Sequence, residues 1–143
     1  MIRRHVSFED LDGNKIETDA YFHLNKMEAT QLSQKKIEGL EYSDYLKKVA
    51  DSQDARRMLD IFTDLVTISY GVKAPDGIGF IKKDVNGRPL GESFVTSPAF
   101  DSLFDAVLND PNGLSEFFLG IFPKSISDKV KTKNTAPAVL PGN

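Results

Sequence analysis

Apolar residues recur every three or four positions through the middle of the chain, and this spacing places them on one face of an α-helix. The most regular run predicts a helix over residues 53–70, with Ser52 or Asp54 as its N-cap and Gly71 as the residue that ends it. Its predicted apolar face consists of Ala55, Met58, Leu59, Phe62, Leu65, Val66 and Ser69. This is the best-defined helix that the pattern predicts.

Shorter apolar runs, together with residues that commonly begin or end helices, predict further helices. Asn25 and Glu28 have the spacing of a capping box and open a helix that ends near Gly39. Ser97 and Pro98 fit an N-cap followed by proline at the first helical position. The apolar positions of the first helix are Met27, Leu32 and Ile37. The predicted helices span residues 25–39, 42–50, 53–70, 99–108 and 114–122.

Residues 1–24 have the pattern of a β-hairpin. Two extended segments flank Asp12-Gly13-Asn14, where Gly13 supplies the positive φ that such a turn needs. Residues 72–88 contain an Asp-Gly and an Asn-Gly pair, which predict a loop with one extended piece over residues 78–82.

These elements predict a mainly α fold, a compact helical domain of about five to six helices with a small N-terminal β-hairpin and a disordered C-terminal tail. We expect a single domain over residues 1–125, with the hairpin in 1–24 and the helices in 25–122. Residues 126–143 are predicted to form a flexible basic tail, because they lack aromatic residues and end in a segment with Pro and Gly.

Composition narrows the possible functions. The 143 residues include 18 Lys and Arg, 21 Asp and Glu and no Cys, with a net charge of −3. The absence of Cys excludes thiol catalysis and Cys-ligated zinc. Residues 124–143 carry four Lys and one Asp, so the first 123 residues hold 14 basic and 20 acidic side chains. Such an acidic body argues against nucleic acid or membrane as a partner.

No combination of side chains predicts catalysis or the binding of a cofactor or metal. His5 and His23 are the only imidazoles, and neither has a clustered carboxylate in the sequence. Asp60 and Asp64 lie four residues apart on one helix face, where a solvated acidic surface is the better interpretation. The Gly77-x-Gly79 pair lacks the third glycine and the strand–helix context of a phosphate-binding loop.

The last predicted helix is rich in phenylalanine. Its apolar stripe consists of Phe117, Phe118, Ile121 and Phe122. One interpretation is that this is the last core helix of a small domain. The other is that the stripe binds a protein partner, since exposed apolar patches mark interaction surfaces.

Five segments of the chain resemble, in order, segments of a known family. Residues 21–29, YFHLNKMEA, are similar to F-Y-F-x-L-T-K-A-E-L at the start of a first helix, and residues 70–82 are similar to A-Y-G-x-K-S-x-D-G-R-R-F-I-K. Residues 42–55, 94–108 and 114–123 parallel L-x-x-I-V-x-A-x-D, F-x-Q-T-x-A-Y-x-E-L-F and F-x-x-G-I-x-P. These segments, within residues 1–125, resemble the tail assembly chaperones of long-tailed bacteriophages of the siphophage type.

The resemblance implies a non-enzymatic protein without cofactors that works in the cytoplasm of the infected bacterium. Such chaperones bind the tape measure protein, keep its apolar helices soluble until tail tube protein polymerises around them, and are not expected in the mature virion. A longer product made by translational frameshifting would help to recruit tail tube protein, and the basic tail would suit that junction. Self-association along the partner is also expected.

Under this resemblance the expected partner-binding residues are Phe117, Phe118, Ile121 and Phe122. A second segment is interpreted as a structural loop, whose glycines serve only the backbone; it contains Tyr70, Gly71, Asp76, Gly77 and Phe80.

Two other functions remain open from the sequence. One is a small nucleic-acid-associated regulator that uses the basic doublets at residues 35–36, 47–48, 56–57 and 82–83 together with the tail. The other is a minor structural component that stays in the tail.

Overall fold

The computed structural model describes residues 1–124, so the predicted basic tail over residues 126–143 lies outside the described residues. The strands are β1 (Ile2–Glu9), β2 (Lys15–Phe22), β3 (Lys36–Ile37), β4 (Leu40–Glu41), β5 (Tyr70–Lys73) and β6 (Phe80–Ile81). The helices are α1 (Lys26–Ser33), α2 (Tyr42–Ser52), α3 (Ala55–Ser69), α4 (Leu90–Phe94), α5 (Pro98–Leu108) and α6 (Gly113–Gly120).

The fold is mixed α/β: the prediction of about five to six helices with an N-terminal β-hairpin is confirmed, but the domain is not mainly α. Within residues 1–124 the six helices are accompanied by an antiparallel four-stranded sheet in the order β1-β2-β5-β6. The predicted N-terminal hairpin is present as β1 and β2, which pair from Ile2 and Phe22 to Glu9 and Lys15. The extended piece predicted within residues 78–82 is confirmed as β6. A hairpin alone is marginally stable, and β5 and β6 extend it into a sheet.

The sheet was underestimated because α3 continues directly into a strand. Tyr70 is extended, with φ −66° and ψ 139°, and it pairs with Phe22 at the end of β2. Gly71 therefore does not end the helix as predicted. Its role is close packing, since a Cβ atom there would lie 2.5 Å from the Ile81 carbonyl oxygen and 2.7 Å from the Phe80 ring.

The region after α1 also differs from the prediction. The capping box is confirmed, with the Glu28 backbone N–H donating to Asn25 Oδ1 at 2.8 Å and the Asn25 N–H donating to Glu28 Oε1 at 3.0 Å. The helix ends at Ser33, however, and a β3–β4 hairpin follows. Glu38 and Gly39 both have positive φ, which suits a tight hairpin turn and not a helix.

The core lies between the sheet and the helices. α3 contributes most of its predicted face, but Ala55 and Leu59 are exposed and Ile61 is buried instead. Asp54 is confirmed as the N-cap of α3, because its side chain accepts a hydrogen bond from the Arg57 N–H at 3.2 Å. α4 was not predicted. Its Gly91 packs against the Thr67 backbone of α3, so close that a Cβ atom would collide with it.

Candidate functional site

The phenylalanine stripe of the last helix lies in the core. Phe117 and Ile121 are 0% exposed, and Phe118 and Phe122 are 2% exposed. The Phe117 ring lies between two others, with centroid distances of 4.9 Å to Phe62 and 5.1 Å to Phe22. α6 therefore joins α3 to the sheet, which is the role of a core helix.

Phe118 and Phe122, the other two phenylalanines of the stripe, lie on the side of α2. The Phe118 ring lies 5.4 Å from Tyr42 and 4.6 Å from Phe122. Burial, with a smaller contribution from Asp64, raises the pKa of Tyr42 to about 12. The stripe is thus not an accessible partner-binding surface in this fold. A contact between these four residues and a partner would require α6 to leave the core.

The segment interpreted as a structural loop forms the β5–β6 hairpin. The Asp76 carboxylate accepts hydrogen bonds from the N–H groups of Ile78 at 2.8 Å and Gly79 at 3.0 Å, and these bonds lower the pKa of Asp76. Gly77 follows with φ +76°, a conformation that glycine adopts without strain. These contacts hold the turn itself.

The aromatic residues at the base of this hairpin also make structural contacts. Tyr70 stacks on Phe94 of α4 with centroids 4.3 Å apart. Phe80 lies across Gly71 and meets the His23 ring edge-on at 6.0 Å. These contacts hold the base of the hairpin together, and the purely structural role of this segment stays a prediction.

The candidate chemical groups do not converge. Within residues 1–124, no three His, Cys, Asp or Glu side chains are grouped so that they could hold a metal ion. His5 lies on the exposed face of the β1–β2 hairpin, where hydrogen bonds to Asp19 and Glu17 raise its pKa. His23 lies at the end of β2, where burial lowers its pKa. Asp60 and Asp64 are exposed on α3, as expected for a solvated face.

One residue in each of three of the four basic doublets pairs with a neighbouring acid. Lys48 Nζ lies 3.4 Å from Glu38, and Arg57 bridges Glu38 and Asp54 at 4.0 and 3.8 Å. Lys82 pairs with Glu28. Mixed surface charge is therefore the better description of these doublets, and no described contact favours nucleic acid.

A groove between α1 and α3 is the best candidate for a contact surface. It has a volume of about 300 Å³ and is lined by Leu24, Glu28, Gln31, Leu32, Lys35 and Ile68. We call this surface the α1–α3 groove. Leu24 is buried at its floor, Leu32 is half-buried, and Ile68 is 42% exposed. Met27 is 72% exposed on the same helix face as Gln31, one turn away.

Charged side chains form the rim of the α1–α3 groove. Lys82 Nζ lies 2.7 Å from Glu28 Oε1 and 3.3 Å from the Ile68 carbonyl oxygen. Lys35, which follows the end of α1, also lines the groove. An apolar floor with a charged rim is suited to the apolar face of an amphipathic helix.

The sequence analysis does not predict this groove, although the sequence contains one indication of it, an apolar residue outside a predicted helix face. The sequence pattern places Met27 and Leu32 on the apolar face of α1, but Met27 is exposed in the structure. Ile68 is an apolar residue outside the regular face predicted for α3. Apolar residues that depart from the helical period are the ones that a helix leaves at the surface.

Comparison with known proteins adds one finding. A protein-family model described as phage tail assembly chaperone matches residues 1–140. No curated protein and no solved structure matches the chain. Within residues 1–124, no helix combines the length and the apolar character needed to cross a bilayer.

Proposed function

The chain belongs to the phage tail assembly chaperone family, whose members are not enzymes, and on that premise we propose that it binds the tape measure protein and keeps it soluble during tail assembly. The family match over residues 1–140 is the observation that carries this proposal. The host cytoplasm is the proposed place of action, and the mature virion is not expected to contain the protein.

The α1–α3 groove is the proposed contact for helices of the tape measure protein. Leu32 and Ile68 would cover an apolar helix face, and Glu28 and Lys35 would meet polar groups beside it. The exposed apolar area is modest, so a single contact would be weak. Repeated binding of several copies along a long helical partner would gain strength by multivalency.

Recruitment of tail tube protein is part of the same proposal. A frameshifted product with an extension after the basic tail would carry that contact. Self-association of the chaperone along the tape measure protein would bring several such extensions together.

Co-expression with the tape measure protein of the same phage tests the function. We expect the soluble fraction of the tape measure protein to rise several-fold with the chaperone and to co-purify with it. If the tape measure protein is equally soluble with and without the chaperone, the proposed function is wrong.

Variants in the groove test the proposed contact. Ile68→Asp places a charge in the apolar groove, and we expect it to abolish co-purification while the protein remains folded. Val85→Asp is a matched control, because Val85 is fully exposed outside the α1–α3 groove. Equal binding by both variants would show that the contact lies elsewhere on the chaperone.

A further inference from the structure

Strand β1 presents an edge that no strand covers within residues 1–124. It pairs with β2 along all of its eight residues, and it is the first strand in the order β1-β2-β5-β6. In an antiparallel pair, every second residue directs both its N–H and its C=O away from the partner strand. The edge of β1 therefore offers a row of backbone donors and acceptors to an added strand.

A groove runs between this edge and helix α5. It has a volume of about 290 Å³, and four consecutive β1 residues, from Arg4 to Ser7, form one wall. The opposite wall is α5, which contributes the small side chains of Ser102 and Ala106. We call this the β1–α5 groove. A strand flanked by a helix across a narrow groove is an arrangement that binds extended peptides by strand addition.

Arg4 indicates the chemistry of the bound segment. Its Nε is buried and has no hydrogen-bond partner among residues 1–124, and the Arg4 side chain lines the groove together with Asp110. Arg4 shares a face of the sheet with Val6, which is buried in the core. A residue added beside Arg4 would point its side chain to that same face, toward α5. A carboxylate there would satisfy the guanidinium with charge-assisted hydrogen bonds.

A second copy of this chain does not supply that carboxylate. Symmetric antiparallel pairing of two β1 edges keeps each residue on its own face of the joined sheet. The β1 residues on the face of Arg4 are Ile2, Arg4, Val6 and Phe8, and none of them is acidic.

We propose that the β1–α5 groove binds an extended peptide segment of a protein partner, and that Arg4 selects a segment with Asp or Glu between small residues. The segment adds to β1 as a fifth strand of the sheet. The small side chains of Ser102 and Ala106 leave room for its inward residues. The identity of the partner rests on the proposed chaperone function, which this contact would serve. The two grooves differ in what they bind, because the β1–α5 groove takes an extended segment and the α1–α3 groove takes a helix.

A synthetic peptide tests the site without the tape measure protein. The probe is acetyl-Thr-Ala-Thr-Asp-Thr-Ala-Thr-amide, in which Asp and the two Ala share one face of a strand. Its partner has Asn in place of Asp. In an NMR titration of the full chain, we expect the Asp peptide to shift the β1 and α5 amides and to bind at least tenfold more tightly than the Asn peptide.

Variants separate recognition from folding. Arg4→Gln should bring the affinities of the two peptides to the same value, and Arg3→Gln is its matched control on the opposite face of β1. Ala106→Trp adds a large side chain to the α5 wall and should block the binding of both peptides. Because Ala106 is exposed, this variant should fold, and it tests the site even if Arg4→Gln does not fold.

The proposal fails if the two peptides bind equally to the unchanged protein, or if neither shifts the β1 amides at millimolar concentration. A hydrogen-exchange measurement on the Asp128→Asn variant, with no peptide added, gives a third test. If the β1 amides exchange faster than in the unchanged protein, the proposal also fails, because the chain's own C-terminal segment would then be the occupant. Loss of tape measure solubilisation with intact peptide binding would refute the proposed function and leave this site standing.

Discussion

Replacing Phe117 with alanine removes the ring on which α3, α6 and the sheet converge. Burial of a phenylalanine side chain is lost and a cavity remains, which commonly costs about 3–5 kcal/mol. Phe117 is 0% exposed and meets the rings of Phe62 and Phe22 at 4.9 and 5.1 Å. Such aromatic contacts add about 0.5–1.5 kcal/mol each. We therefore expect Phe117→Ala to lower the free energy of unfolding by roughly 4–5 kcal/mol, the upper half of the range for a buried phenylalanine.

Urea unfolding followed by far-UV circular dichroism measures this cost. For a chain of this size the melting temperature should also fall by roughly 10–15 °C. Met27→Ala is the control, since Met27 is 72% exposed and its loss should change the free energy of unfolding by less than about 0.5 kcal/mol. If Phe117→Ala lowers the free energy of unfolding by less than about 1 kcal/mol and leaves its slope against urea concentration unchanged, α6 is not a core helix. Its phenylalanine stripe would then again be a candidate binding surface.

Three other predictions concern local interactions. Asn25→Ala should lower the free energy of unfolding by about 1 kcal/mol in urea titrations, because the bond from the Glu28 N–H to the Asn25 side chain is lost, and an unchanged midpoint would contradict the observed cap. Gly71→Ala should destabilise the protein by more than about 1 kcal/mol, because its methyl group would meet the Ile81 carbonyl; a neutral or stabilising effect in the same titration would contradict that close approach. By NMR, His5 should titrate above 6.5 because of its hydrogen bond to Asp19, and His23 below 6.5 because of burial. Stability from His5 is then present at low pH and lost as pH rises through its folded pKa, whereas His23 favours the folded state at higher pH and opposes it as pH falls below 6.5; coincident midpoints would contradict both environments.

Local signals in the sequence correctly predicted where several helices begin. The Asn25 and Glu28 capping box and the Asp54 N-cap depend on residues that are neighbours in the chain, so spacing alone indicates them. Proline at the start of α5 is a signal of the same kind.

Long-range pairing explains what the sequence did not reveal. Tyr70 and Gly71 form a strand because Tyr21 and Phe22 lie beside them, and those partners are almost fifty positions away in the chain. A glycine after a helix commonly marks its end, and only the approach of Phe80 and Ile81 gives Gly71 another role.

The candidate site was hidden for a related reason. A phenylalanine-rich stripe has the same sequence pattern whether it faces the core or a partner, and the packing of Phe117 against Phe22 decides between them. Residues of the α1–α3 groove come from α1, α3 and the segments beside them, so no single stretch of sequence identifies the surface.

The hydrogen bonds of Glu28 bear on how readily the chaperone could bind and release a partner. Its Oε1 accepts from the Asn25 N–H at the start of α1 and from Lys82, which also donates to the Ile68 carbonyl at the end of α3. One carboxylate oxygen thus joins the two walls of the α1–α3 groove in the free protein. A preorganised groove loses little conformational entropy when a partner fills it, and this favours binding. In the proposed role, this preorganised groove would let even a small apolar contact hold the tape measure protein until the growing tail tube displaces the chaperone.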